Sequence, residues 1–429
     1  MEIEKLYEWN PWWAEKNAIK KRIGKQRPAY GSLLNSINVK QITIITGVRR
    51  SGKSTLMYQM VDKLLNKRIK PEQILFINLE DKKLSKNSLD EMYNEYRQKL
   101  NPDKKAFVFL DEIHKKGGWE HWIRKKYDLQ TDDKFIISGS SSYLLKKEYS
   151  TLLTGRNRTF EVFPLSFEEF LFFKGIKIDK EKIKKGIILA ETKNKIIYEL
   201  GNYLELGGFP EVMSEEKEEK TNLLKQYFDD ILYKDIIDRY GLNSQKAGDF
   251  LLYLITNFTG TISLRNLRNS LGLSYDTIKD YLSYSKESFL LFTLDHFSYS
   301  FKEQKTLAPK IYCIDNGLRN AVGFKFSRDE GKLAENLVFV ELKRKDESVY
   351  YWKSAKQREV DFVIKNRDQS LTAINVTYSD EIEEREMKSL IEFKENFERT
   401  KKLIIITKDT EKENKGIKFI PLWKWLLIS

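Results

Sequence analysis

Residues 41–60 read QITIITGVRRSGKSTLMYQM, and this stretch decides the fold. An apolar run, Ile42 to Ile45, breaks at Gly47, and an amphipathic run begins after Ser54. Between them, Gly47-Val48-Arg49-Arg50-Ser51-Gly52-Lys53-Ser54 fits G-x-x-x-x-G-K-[ST] at every fixed position. That pattern, between a strand and a helix, is a phosphate-binding loop. Its glycines let the backbone turn its N–H groups inward, and these donors join the N-terminus of the next helix in an anion cradle. Lys53 is placed to reach β- and γ-phosphates, and Ser54, followed by Thr55, to hold Mg²⁺ through its hydroxyl. The bland alternative is a glycine turn that binds nothing; the motif's length and its strand–loop–helix context speak against it.

Working outward, strands are expected at 42–46, 74–79, 106–111 and 135–140, with helices at 53–66, 88–100 and 119–128. This alternation predicts an α/β fold, a parallel sheet wrapped by helices, with its active edge at the C-terminal ends of the strands. The third strand ends in Asp111-Glu112. There an Asp can hold Mg²⁺ through water and a Glu can orient or deprotonate an attacking water. His114 follows in the same turn and reads as a packing or polar-switch residue rather than a metal ligand. The fourth strand runs into Gly139-Ser140-Ser141-Ser142. Ser140 is the candidate sensor of the γ-phosphate, the alternative being a serine-rich turn that caps a helix. In Leu153-Thr154-Gly155-Arg156-Asn157-Arg158, either arginine fits a transition-state cation, in cis or from a neighbouring subunit, or a plain partner for surface acids. Near the start, Trp12-Trp13 suit packing on the adjacent domain or bordering a base, and a basic run extends from Lys20 to Arg27.

The chain has 429 residues, enough for about three domains and a sizeable core. Its net charge of +13 favours an acidic partner, most simply nucleic acid, and equally suits a lysine-rich, thermophile-like surface. One cysteine, Cys313, excludes a disulfide framework and a cysteine-based metal cluster, and three histidines argue against zinc. Neither a long apolar run nor a signal-peptide pattern is found, so the expectation is a soluble, cytoplasmic protein with no membrane partner.

Residues 1–35 form an N-terminal extension, 36–165 the nucleotide-binding core and 166–244 a helical lid, in which Gly207-Gly208-Phe209-Pro210-Glu211 reads as a hinge. Across 245–325 the spacing predicts three helices. Phe250, Leu251, Leu254, Ile255 and Phe258 mark the first, Leu264 and Leu267 the second, and Ile278, Tyr281 and Leu282 the third. Strands at 289–297 and 309–315 follow, with a polar tip from Ser298 to Lys305. This is the order of a winged helix. The third helix offers Tyr275, Thr277, Lys279 and Ser283 outward, but also Asp276 and Asp280, which repel phosphate. DNA reading and protein docking both remain open there. Residues 326–429 make another α/β unit, with a helix at 333–343, strands at 349–353, 358–364, 371–378 and 403–407, and a helix around 383–396.

The motifs GVRRSGKST, FVFLDEIH, ISGSSS, LLTGR with FPLSFEEF, and GGFPE make residues 41–240 resemble AAA+ ATPases of the archaeal and bacterial kind, near the STAND and Orc/Cdc6 branches. The whole chain looks like the proteins that join such an ATPase to a DUF4143 domain. The resemblance implies ATP and Mg²⁺ as ligands, with Lys53 and Ser54 as Walker A, Asp111 and Glu112 as Walker B, and Ser140 as sensor 1. It also implies Arg156 as the arginine of the L-x-G-R motif and Pro210 as a lid proline touching the nucleotide. The partners expected are double-stranded or branched DNA and further copies of the chain in a homo-oligomer. The C-terminal unit resembles a PD-(D/E)XK nuclease-like, restriction-endonuclease-like domain, which places a helix Glu, a strand Asp and an E-x-K element around Mg²⁺. Here Glu335 and Asp361 fill the first two places, but the third reads Ile374-Asn375-Val376-Thr377. An amide replaces the carboxylate and a hydroxyl the lysine, so the expectation is a degenerate, inactive nuclease fold. An ATP-dependent nuclease is the least favoured reading, below a DNA-coupled ATPase and a nucleotide-gated switch with slow turnover.

Overall fold

The computed structural model describes residues 3–129, 132–141, 153, 155–324, 329–379 and 381–428; Ser142 and Thr154, noted above, lie outside this set. The chain divides into two compact units, Met1–Val162 and Phe163–Ser429. Among the described residues no helix is long and apolar enough to cross a membrane.

The first unit is built on five strands: β1 (Ile42–Thr46), β2 (Ile74–Asn78), β3 (Phe107–Asp111), β4 (Lys134–Gly139) and β5 (Asn157–Glu161). Their order is β2-β3-β4-β1-β5, and every pairing is parallel. Helices α1 (Lys53–Asn66), α2 (Leu89–Lys99) and α3 (Trp119–Asp128) connect them. Because neighbouring side chains on a strand point to opposite faces, β1 to β4 feed two cores. Ile42, Ile44, Val108, Leu110 and Ile137 lie in one, and Ile45, Phe76, Phe109 and Ile136 in the other. A sheet buried on both faces explains why these strands read as unbroken apolar runs. Strand β5 was not foreseen: NRTFE carries no apolar alternation, since it sits at the sheet's edge and is half exposed.

The N-terminal 35 residues are part of this unit. The Asn10 side chain bonds both ways with the backbone of Phe76 on the edge strand β2, accepting from its N–H at 2.6 Å and donating to its carbonyl at 2.8 Å. The indole N–H groups of Trp12 and Trp13 both donate to the Ile74 carbonyl, at 3.2 and 2.9 Å. The segment thus covers the open edge of the sheet, where bare backbone groups invite pairing with other chains. The two tryptophans pack, as the simpler of their two readings had it.

The second unit begins with helices α4 (Phe167–Phe173), α5 (Ala190–Leu206) and α6 (Lys217–Asp230). Helices α7 (Ser244–Thr256), α8 (Leu264–Leu271) and α9 (Tyr275–Glu287) follow, then β6 (Leu291–Leu294) and β7 (Lys310–Cys313), an antiparallel hairpin. Thr261, between α7 and α8, bridges to Lys310. The hairpin strands are shorter than expected, and the tip carries a helical turn, Phe301–Thr306, rather than a plain polar loop. Next come α10 (Asn316–Val322) and α11 (Glu330–Arg344), then β8 (Val349–Lys353), β9 (Glu359–Lys365), β10 (Leu371–Thr377), α12 (Glu384–Asn396) and β11 (Thr400–Thr407). The chain finishes with β12 (Lys412–Asn414), β13 (Ile417–Pro421) and α13 (Leu422–Ile428). Strands β8 to β13 form one mixed sheet in the order β12-β13-β11-β10-β9-β8. Strands β12 and β13 and helix α13 extend this unit beyond the last strand expected from the sequence.

Candidate functional site

In an all-parallel sheet the strands end on one edge, and the loop after β1 lies there beside the ends of β3 and β4. Gly47 has φ +143°, and a Cβ on it would lie 2.1 Å from the Val162 carbonyl oxygen, so no side chain fits. Gly52 caps α1 in the left-handed region at φ +97°. The loop therefore curls over the start of α1, where the helix presents its unsatisfied N–H groups.

Lys53 is buried and donates to the Gly47 and Val48 carbonyls, both at 3.0 Å. The Ser54 hydroxyl donates to Asp111 Oδ2 at 2.7 Å, tying loop to strand end. The Ser138 hydroxyl donates to the other Asp111 oxygen and accepts the Glu112 N–H at 3.2 Å. Glu112 Oε2 accepts the Ser140 N–H at 3.1 Å and lies 3.3 Å from His114 Nδ1. Glu112 itself holds a left-handed backbone, φ +53°, a strained state for a non-glycine residue of the sort that gathers at functional sites. Burial, with the Glu112 charge, pushes Asp111 up to about 6. Burial would raise Glu112 too, but Lys53, His114, Arg49 and the Ser140 amide outweigh it and hold this carboxyl below its ordinary range.

Two acids side by side are thus tuned apart. Asp111, with the Ser54 hydroxyl, offers the hard oxygen donors that a small divalent cation takes. Glu112 stays a carboxylate, able to accept a proton from water or orient it. The Ser51 hydroxyl is buried in the loop without a hydrogen-bond partner, a donor left over for a ligand of the loop.

The structure brings Gly47, Val48, Arg49, Arg50, Ser51, Gly52, Lys53, Ser54, Thr55, Asp111, Glu112 and Ser140 to this one edge. It does not bring Arg156 there. The Ile42 N–H donates to the Arg156 carbonyl at 2.8 Å, which sets Arg156 beside the start of β1, a strand's length, roughly 15 Å, from the loop. Its side chain pairs with Asp128 at 2.8 Å, and the Arg158 Nε donates to Gln41 at 2.6 Å. Pro210 belongs to the second unit. There Gly207 and Gly208 are wedged: a Cβ on Gly207 would meet the Asp315 carboxylate at 1.9 Å, and one on Gly208 the Leu165 carbonyl at 2.3 Å. Asp315 also accepts the Gly208 N–H at 2.7 Å. The break expected as a hinge is a tightly packed joint.

Several site residues were missed, and of these only Ser138 lies within a motif, ISGSSS, whose Ser140 was the serine singled out. Ser138, one turn of pleat before the named serine, is the hydroxyl that reaches Asp111. Glu80 pairs with Arg49 at 3.3 Å. Arg27, from the N-terminal basic run, is buried and donates to the Ser51 carbonyl at 2.9 Å. Only that run's nearness in sequence to the loop hinted at Arg27.

In the second unit, Glu335 on α11 and Asp361 on β9 come together around one lysine. Asn375 does not stand in for a ligand: it accepts the Asp361 N–H at 3.2 Å and donates to Glu386 at 2.7 Å and Ser389 at 2.9 Å. The cation between Glu335 and Asp361 is the ammonium of Lys310, at 3.0 and 3.4 Å.

The fold and the loop-edge site define a P-loop protein of the AAA class, and residues 39–171 match the family model described as AAA domain. Residues 197–329 and 330–425 match two further models, each described as a domain of unknown function, the latter DUF4143. Over 408 residues, 90% of this chain and 88% of the relative, the sequence is 33% identical to uncharacterized protein MJ1544 of Methanocaldococcus jannaschii. An uncharacterized protein of Haemophilus influenzae is 30% identical over 398 residues, 90% of this chain and 94% of that one. The chain belongs to the family of these proteins, an AAA domain followed by DUF4143. Similar solved structures include the Orc1 protein of Aeropyrum pernix in complex with DNA (11% identity, 73% of this chain and 96% of that one, TM-score 0.33). AMPPCP-bound DnaA of Aquifex aeolicus is another (15% identity, 61% and 87%, TM-score 0.26).

Proposed function

We propose that the protein hydrolyses ATP with Mg²⁺ at the edge formed by the loop and the ends of β3 and β4, and couples this to binding DNA or a nucleoprotein. The observation that carries the reading is the chain from the Ser54 hydroxyl through Asp111 to Ser138, with Glu112 held alongside as a carboxylate. Ser54 and Asp111 would hold Mg²⁺, directly and through water, and the ion would neutralise charge on the phosphates. Lys53 would leave its own loop's carbonyls for the phosphate oxygens. Glu112, anchored by the Ser140 amide, would orient the attacking water and take its proton. Ser138 fixes both acids, and Ser140 would sense the γ-phosphate. Since neither Arg156 nor Arg158 reaches the loop of its own chain, a transition-state arginine would come from a neighbouring subunit in a homo-oligomer.

DNA is the partner favoured by the charge of +13. Helices α7 to α9 and the β6–β7 hairpin follow the order of a winged helix. Arg265, Arg268, Tyr275 and Lys279 are exposed there, and so are Asp276 and Asp280. Phosphate release measured with and without double-stranded DNA tests the coupling. Stimulation that fades as salt rises supports it, whereas DNA-independent slow turnover would favour a nucleotide-gated switch. Subunits carrying Lys53→Ala mixed with subunits carrying Arg156→Ala test the trans arginine: recovered turnover supports it, and none in an exchanging oligomer counts against it.

A further inference from the structure

The second unit holds a buried cluster that the ATPase reading does not use. Lys310, on β7, has its side chain almost fully buried, and its Nζ lies 2.5 Å from Glu359 Oε1, 3.0 Å from Glu335 Oε1 and 3.4 Å from Asp361 Oδ1. The three carboxylates come from two elements, α11 and β9, and the ammonium from a third. Tyr312, two residues on and on the same face of β7, donates to Glu335 Oε1 at 2.7 Å. The remaining Asp361 oxygen accepts the Val376 N–H at 2.9 Å. Carboxylate oxygens converging on one point form the donor set of a divalent cation. A buried carboxylate without a counter-charge is costly, and three together are far more so. The compensation shared by all three is one ammonium on a four-carbon stem, delivered by the hairpin; Lys353, 4.0 Å from the other Glu359 oxygen, meets that residue alone.

We infer that Lys310 is the resident cation of this pocket. It stands where a divalent metal would otherwise bind, so the native pocket is closed to metal and serves to lock the β6–β7 hairpin onto the C-terminal sheet. The degenerate positions Asn375 and Thr377 and the occupied centre then belong to one arrangement. The third carboxylate is gone from β10, Glu359 on β9 faces the centre in its stead, and the ion's charge is supplied by the chain. The residues present do not fit a resident Mg²⁺, because ammonium and metal ion would claim the same oxygens.

Thermal unfolding of the full chain, with and without Mn²⁺ as the probe, tests this. The parent's melting response to Mn²⁺, whatever the Ser54–Asp111 site contributes to it, should be the same with and without Asp361→Asn. Lys310→Ala should melt lower by roughly 5–10 °C, since it strands buried charge. Mn²⁺ should then raise that variant's melting temperature beyond the parent's response, and the excess should vanish when Asp361→Asn is added. If Lys310→Ala does not fold, Lys310→Met combined with Glu335→Gln, Glu359→Gln and Asp361→Asn should fold, because no charge is left to compensate. A parent stabilised by Mn²⁺ in a manner lost on Asp361→Asn would overturn the inference. So would a folded Lys310→Ala that melts like the parent or gains no more from Mn²⁺ than the parent does, or a neutralised variant no better folded than Lys310→Ala.

Discussion

Lys53 and Lys310 are both buried lysines beside carboxylates, in the first and second unit, and they are held in opposite ways. Lys53 is folded onto two carbonyls of its own loop, weak partners that an incoming anion can replace. Asp111 and Glu112 nearby are gripped by serine hydroxyls and an amide, and remain available to a metal ion and a water. Lys310 sits directly on three carboxylates, one for each of its N–H donors. The first arrangement is poised for a ligand, and the second has already taken one, in the form of a side chain. What separates the two is the lysine's partners: Lys53 donates to neutral carbonyls of its own loop and lends its charge to Glu112, whereas Lys310 sits on three carboxylates at once.

The largest expected effect follows from the poised lysine. Lys53→Ala should lower phosphate release by roughly 1,000-fold, because it removes the cation at the phosphates, while its melting curve stays close to the parent's. Lys310→Ala should show the reverse weighting, a large melting shift. Melting curves and turnover recorded on the same two proteins check this, and equal effects of both changes on both readouts would dissolve the contrast.

Glu112→Gln comes next. Turnover should fall by about 100-fold with nucleotide binding kept, as measured by titration with a fluorescent nucleotide. Ser138→Ala should cost less, about 10-fold in turnover or in Mg²⁺ dependence, since it loosens Asp111 without removing a ligand.

How much of this was legible in the sequence follows from how local each signal is. The loop, Asp111 and Glu112 could be read because a strand, a tight turn and a helix start lie together in the chain. Strands β1 to β4 were legible for the same reason, being buried on both faces. Strand β5 was not, because an edge strand needs no apolar run. Ser138 looked like part of a strand, and which of several serines faces Asp111 depends on register. Arg156 lay in a recognisable motif, yet only the parallel pairing of β5 with β1 shows that it starts at the sheet's far edge. Lys310 is the sharpest case. It is one lysine among many, and the chain brings it to Glu335, Glu359 and Asp361 only through tertiary packing of a hairpin onto a sheet.

The smallest effect is one of pH. Burial and the neighbouring Glu112 place Asp111 at about 6. A metal ion binds the deprotonated carboxylate, so protons compete as pH falls. Mg²⁺ affinity in the presence of nucleotide should therefore be level above about 7 and weaken as pH drops through 6, by up to about tenfold per unit. Asp111→Asn should bind Mg²⁺ weakly at every pH and lose that dependence.

One reaction tests the central claim, a poised site in the first unit and a spent one in the second. Purified protein, linear DNA, ATP and Mg²⁺ are incubated together, and phosphate release and DNA length are followed in the same tube, beside Glu112→Gln and Asp361→Ala. The account predicts phosphate release that collapses in Glu112→Gln, and DNA that stays full length in all three. Phosphate release unchanged by Glu112→Gln, or DNA cut by the parent and spared by Asp361→Ala, would contradict it.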